Sequence, residues 1–126
     1  MPVALLVADG SWVINEVRSA LSLGSWQIEE ITDPRSLPDR LGESRVDVVI
    51  IDMQVGSSGG MAVVRSIRQA TDPSERPRTV LLLDRAADVF LARRAGADAW
   101  VLKPFDAPEL RAAVAGAPIA IGAEEE

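Results

Sequence analysis

The run Val46-Asp47-Val48-Val49-Ile50-Ile51-Asp52 constrains this chain more than any other stretch. Four consecutive β-branched apolar residues between two acids read as a strand buried on both faces, because a half-exposed strand would alternate. Such a strand needs a covering layer on each side. Asp52 stands where the strand emerges, and the segment Gly56-Ser57-Ser58-Gly59-Gly60 follows it. That placement marks Asp52 as the candidate functional centre.

The same signature recurs along the chain. Val3-Ala4-Leu5-Leu6-Val7-Ala8 runs into Asp9-Gly10-Ser11, Thr79-Val80-Leu81-Leu82-Leu83 ends on Asp84, and Ala99-Trp100-Val101-Leu102 ends on Lys103-Pro104. Trp26-Gln27-Ile28-Glu29-Glu30-Ile31 alternates only in its first half, which suits a short edge strand. Helical spacing fills the gaps between strands. Val13, Ile14, Val17 and Leu21 predict a helix stopped by Gly24, with Ser11 or Asp9 as its cap. Thr32-Asp33-Pro34 opens a weak helix to about Leu41, short or kinked because Pro38 lies inside it. Met61, Val63, Val64 and Ile67 predict a helix over Gly60 to Ala70, followed by a polar, proline-bearing loop to Arg78. Ala86 to Ala95 reads as a short helix closed by Gly96, with arginines in its last turn, where the helix dipole favours cations. Pro108 to Val114 reads as the last helix.

Strand and helix thus alternate five times. The pattern calls for an α/β fold: a doubly wound, five-stranded parallel sheet with helices on both faces and right-handed crossovers. Residues 1–115 form one domain on this reading, and 116–126, rich in Ala, Pro and Gly and then acidic, form a loosely held tail.

Composition narrows the chemistry. The chain has no cysteine and no histidine, which removes disulfides, thiolate nucleophiles, the usual zinc ligands and His-based acid–base catalysis. The formal net charge of −6 falls to −3 once the terminal Glu124-Glu125-Glu126 are set aside. A mildly acidic body with scattered arginines offers no footprint for nucleic acid. The apolar runs are far shorter than a membrane span, and no basic segment precedes Val3 as in a signal peptide, so a cytoplasmic protein is expected.

In a doubly wound sheet the carboxyl ends of the strands share one edge, where ligands bind. With the flavodoxin-like strand order 2-1-3-4-5, Asp9 and Asp52 face each other and Asp84 and Lys103 flank them. Any one of these residues could simply end a strand in water. Three acids and a lysine at one edge are harder to attribute to that. Close carboxylates repel unless a cation joins them, and a hard divalent ion, Mg²⁺ first, is the natural partner. A lysine beside them suits a phosphoryl oxygen. The chemistry indicated is a metal, a carboxylate nucleophile and a phosphoryl group. Neither a GxGxxG nor a P-loop occurs, and Asp9-Gly10-Ser11-Trp12 is a poor match to a flavin phosphate loop or a dehalogenase-type phosphatase motif.

Ala8-Asp9, Asp52, Gly59-Gly60 and Ala95-Gly96-Ala97 before Trp100-Val101-Leu102-Lys103-Pro104-Phe105 together resemble a response-regulator receiver domain. The resemblance runs from about Val3 to Val114. It implies a (βα)5 fold in which Asp52 accepts a phosphoryl group from a histidine kinase or phosphotransfer protein. It further implies Mg²⁺ held by Asp9, Asp52 and the backbone carbonyl of Gln54, with Lys103 on the phosphoryl oxygens and a cis Lys103-Pro104 peptide. The protein is then a phosphoacceptor rather than an enzyme. It is expected to be a stand-alone receiver signalling by contact with a downstream protein whose identity the sequence does not give; a homodimer is compatible with it.

Three departures accompany the resemblance. The family usually has two adjacent acids after the first strand, and Ala8 takes the place of one, which predicts weaker Mg²⁺ binding. The usual Ser or Thr after the fourth strand is Asp84, which either repels a phosphoryl oxygen or pairs with Lys103 and occupies it. The segment from Asp84 to Lys103 is short, with Trp100 where a switching aromatic often sits, so the usual Thr–aromatic coupling cannot operate. Ala8 and Asp84 motivate an alternative reading, a pseudo-receiver that serves as an interaction module without a phosphoryl switch.

Overall fold

The structure, a computed structural model, describes residues 1–116. The expected tail beyond Gly116 lies outside the described residues. The strands are β1 (Val3–Val7), β2 (Gln27–Ile31), β3 (Val48–Asp52), β4 (Arg78–Leu83) and β5 (Ala99–Leu102). The helices are α1 (Ser11–Ala20), α2 (Leu37–Leu41), α3 (Gly59–Ala70), α4 (Val89–Ala95) and α5 (Ala107–Ala115). All strand pairs are parallel, in the order β2-β1-β3-β4-β5. This is the flavodoxin-like (βα)5 arrangement expected from the sequence. Among the described residues no helix is long and apolar enough to cross a membrane.

The apolar runs are continuous because both faces of the sheet are covered. Ala4, Leu6, Ala8, Val48, Ile50, Val80, Leu82 and Val101 pack with Val13 and Val17 of α1 and Leu110 and Val114 of α5. Their neighbours Leu5, Val7, Val49, Ile51, Leu81 and Leu83 point the other way and pack with Leu37, Val63, Val64, Ile67 and Ala92 of the remaining helices. Alternate residues of one strand thus feed two cores, as strand geometry requires. Ile50→Ala, which removes a fully buried side chain from the central strand, is expected to cost about 3 kcal/mol, read from urea unfolding.

The turns follow their chemistry. Asp106 and Glu109 form a reciprocal capping box that starts α5. Gly96 ends α4 in the left-handed region at φ 94°. Pro34–Ser36 forms a 3₁₀ turn ahead of a five-residue α2, the short element that Pro38 foretold. Ala86–Asp88 is likewise 3₁₀, so the expected Ala86–Ala95 helix is α-helical only from Val89.

One expectation is corrected. The cap of α1 is Gly10, in an extended conformation and with no side-chain hydrogen bond, rather than Ser11 or Asp9. Ser11 already lies within the first turn, and the Asp9 carboxylate is engaged by the Gly56 N–H. A Cβ at Gly10 would meet nothing within 4 Å. Gly10→Ser is therefore expected to stabilise the fold by about 0.5 kcal/mol, seen as a higher urea midpoint, by supplying the missing acceptor.

Candidate functional site

The carboxyl ends of β1, β3, β4 and β5 converge on a cleft of about 640 Å³ lined by Asp9, Trp12, Asp52, Gln54, Asp84 and Lys103, among others. The sheet register explains the convergence. Val7 pairs with Ile51, Asp52 with Leu82 and Leu83 with Leu102, so each strand ends within a residue or two of the next. The four residues singled out in the sequence are thus brought to one place.

Asp52 is buried, and its Oδ1 accepts from Lys103 Nζ at 2.6 Å and from the Gln54 N–H at 3.4 Å. Lys103 Nζ also pairs with Asp84 Oδ1 at 3.0 Å. The lysine side chain is only 10% exposed, that of Asp52 6% and that of Asp84 32%. The open question about Asp84 therefore resolves in favour of pairing: its carboxylate occupies the lysine. The second Asp84 oxygen, Oδ2, accepts from Gln54 Nε2 at 2.9 Å. Asp9 Oδ2 accepts from the Gly56 N–H at 3.0 Å, tying the end of β1 to the β3–α3 loop. The Lys103-Pro104 peptide is cis, as the resemblance implied.

Ala8 is fully buried on the α1/α5 side, the face that Ile50 also lines. One step beyond the Val7–Ile51 pair, it brings a methyl group rather than a carboxylate to the neighbourhood of Asp52. Behind Asp52, Gly60 packs so closely that a Cβ would fall 2.8 Å from the Asp52 carbonyl oxygen. The Gln54 side chain joins the cleft without a signal in the sequence, since no local pattern announces a contact to a residue 30 positions away.

The charges reinforce one another. Burial works against the Asp84 carboxylate, but hydrogen bonds from Lys103 and Gln54, with the charges of Lys103 and Arg85, hold its pKa below the ordinary value. Burial also disfavours the Lys103 ammonium, but its bonds to Asp52 and Asp84 and their charges raise its pKa. A lowered acid stabilises the fold above its unfolded pKa, near 3.8, and loses that contribution as pH falls through the folded value. A raised lysine stabilises below its unfolded pKa, near 10.5, and loses that contribution as pH rises through the folded value. The gap in urea midpoint between the wild type and Asp84→Asn should hold steady from about pH 6 to 9 and close in strong acid.

The donor set fits a hard divalent cation. Asp9 and Asp52 each keep one carboxylate oxygen that accepts no hydrogen bond among the described residues. No group of three or more acidic residues that could hold a metal occurs among those residues. Two carboxylates completed by carbonyl, water and phosphoryl oxygens are the usual protein share for Mg²⁺.

A hollow of about 630 Å³ lies at the opposite edge of the sheet, between the ends of α2 and α3. Its two arginines are occupied locally, Arg45 by Asp47 and Arg76 by Thr71 and the Arg68 carbonyl. It brings together no comparable constellation.

The model of the response regulator receiver domain matches residues 4–115, and the chain belongs to that family. The chain is 32% identical over 114 residues to the response regulator MprA of Mycolicibacterium vanbaalenii, covering 89% of this chain and 48% of that protein. It thus spans about half the length of the curated relatives it matches. Among solved structures, the receiver domain of a two-component response regulator from Bacteroides fragilis superposes with a TM-score of 0.77 at 26% identity, over 92% of this chain and 95% of that one. The receiver domain of a Pseudomonas aeruginosa sensor histidine kinase, with a magnesium ion coordinated in its active site cleft, shares the fold with a TM-score of 0.77 at 21% identity, over 90% and 93%.

Proposed function

We propose that this receiver domain accepts a phosphoryl group on Asp52, as a step in a phosphorelay, and signals through contact with another protein. The observation that carries the reading is the buried Asp52–Lys103 pair at 2.6 Å at the carboxyl edge of the sheet. Among the described residues, Asp52 is the one carboxylate in the cleft that is both buried and in direct contact with a cation. In the step proposed, an Asp52 oxygen attacks the phosphorus of a phosphohistidine on a kinase or phosphotransfer partner. The phosphorus–nitrogen bond breaks, the electron pair stays on the donor imidazole, and an acyl phosphate forms. Lys103 neutralises charge on the phosphoryl oxygens. Mg²⁺, held by Asp9, Asp52 and the Gln54 carbonyl, would supply further neutralisation; a magnesium ion in the active site cleft of the Pseudomonas kinase receiver is in keeping with a metal in this cleft. The domain is a phosphoacceptor, and the partner supplies the activated group.

A second reading has an observation of its own. Lys103 is already paired with two carboxylates, and Ala8 supplies no acid, which is the arrangement expected of an interaction module without a phosphoryl switch. Titration with Mg²⁺ and beryllium trifluoride, a tetrahedral phosphoryl analogue, separates the two. Trp12 lines the cleft and is 54% exposed, which makes it a built-in reporter. A saturable fluorescence change that needs both reagents and disappears in Asp52→Asn is expected. No change in the wild type, or the same change in Asp52→Asn, favours the interaction module.

A further inference from the structure

We propose that Gln54 is a positioning residue for phosphoryl acceptance: its side-chain amide holds Asp84 on Lys103 and so sets how readily the lysine is released to an incoming phosphoryl oxygen. The inference rests on the reading of Asp52 as the acceptor and adds a control built into the same site.

Both oxygens of Asp84 are committed, and to donors from different segments. Oδ1 faces Lys103 Nζ at 3.0 Å, after β5, and Oδ2 takes the Gln54 amide at 2.9 Å, from the β3–α3 loop. Two donors fix the plane of a carboxylate; one leaves it free to turn. Asp84 has somewhere to turn, because its side chain is 32% exposed. Without the Gln54 amide it can swing into water, whereas with it the carboxylate is kept on the ammonium.

The contest is for a single cation. Lys103 is the only lysine in the chain, so no other ammonium can take its place. A phosphoryl group on Asp52 brings anionic oxygens to Nζ and has to displace Asp84 from it. Gln54 lies two residues beyond Asp52, and its N–H approaches Asp52 Oδ1 at 3.4 Å. The loop that follows the acceptor therefore also carries the group that restrains the competitor. Nothing covalent changes in this control; one hydrogen bond and one ion pair exchange for contacts with a phosphoryl oxygen.

A double-mutant cycle on the full chain tests the proposal, using Gln54→Ala, Asp84→Ala and the pair combined. The first readout is the initial rate of adduct formation with Mg²⁺ and acetyl phosphate, followed by intact mass. Asp84→Ala is expected to label about fivefold faster than the wild type, the scale of a partly exposed ion pair, and Gln54→Ala to gain part of that. The double variant should match Asp84→Ala, because Gln54 acts only through Asp84. The second readout is acylation of the Lys103 amine at fixed pH, for which the single lysine gives one side-chain product. Gln54→Ala should acylate faster than the wild type, and the double variant no faster than Asp84→Ala, because Gln54 reaches the amine only by holding Asp84 on it.

Additive rate effects, or a Gln54→Ala variant that equals the wild type in both readouts, overturn the positioning role while adduct formation keeps the acceptor reading intact. If no variant forms an adduct but amine acylation follows the expected order, the acceptor reading fails and the hold of Gln54 on Asp84 stands.

Discussion

Lys103→Ala should lower the stability of the domain by about 3 kcal/mol at neutral pH, because it leaves two carboxylates facing each other with no cation between them. Asp52 is the costlier of the two to strand, with its side chain only 6% exposed. The loss has a sign that pH can check. Without the ammonium, the burial that works against the Asp84 carboxylate is no longer offset by Lys103, so its folded-state pKa is expected to be raised and the variant to bind a proton more readily folded than unfolded. Its instability should be full above that raised pKa and shrink as pH falls through it. Urea unfolding at several pH values reads this directly. A Lys103→Ala protein as stable as the wild type at neutral pH would mean that water already screens the pair. The same variant removes the cation that faces the phosphoryl group, so adduct formation should fall by at least about a hundredfold, the scale of one lost oxyanion contact.

Gly60→Ala is expected to be the most damaging single-methyl addition near the site. The new Cβ would lie 2.8 Å from the Asp52 carbonyl oxygen, 2.9 Å from Leu81 Cδ2 and 3.0 Å from Met53 Cα. Two of those atoms are backbone, and Leu81 is fully buried, so little can yield without moving the end of β3. Overpacking of this kind costs about 2–3 kcal/mol, or a fall of ~10 °C in Tm for a domain of this size. Because the displaced backbone carries Asp52, adduct formation should also slow at temperatures where the variant is fully folded. A Gly60→Ala protein with an unchanged Tm would show that α3 can draw away from β3 cheaply. Gly10→Ala supplies the control, since its Cβ enters open space.

How far the sequence disclosed this molecule depended on what each segment buries. β1, β3 and β4 were legible because each carries a run of apolar residues sandwiched between two helical layers, and the edge strand β5 because all four of its residues are apolar. β2 was faint for the opposite reason: it is an edge strand whose Gln27 and Glu30 are exposed. The convergence of Asp9, Asp52, Asp84 and Lys103 followed from topology, since parallel strands must end on one edge. What those residues do to one another did not follow. Whether Asp84 turned toward Lys103 or away from it depends on side-chain rotamers. The Gln54 amide that helps decide the matter belongs to a loop without sequence periodicity. The α1 cap was misread because two capping residue types flank the glycine that fills the position, and Asp9 is engaged across the cleft instead.

One measurement addresses most directly the role of Asp52 as phosphoryl acceptor. The full chain and its Asp52→Asn variant are incubated with Mg²⁺ and acetyl phosphate, beside a receiver domain known to label, and weighed intact. The wild type should gain a single adduct of about 80 Da, one phosphoryl group, while Asp52→Asn gains none. An adduct that persists in Asp52→Asn, or a wild type that never labels at raised Mg²⁺ while the control does, would contradict it.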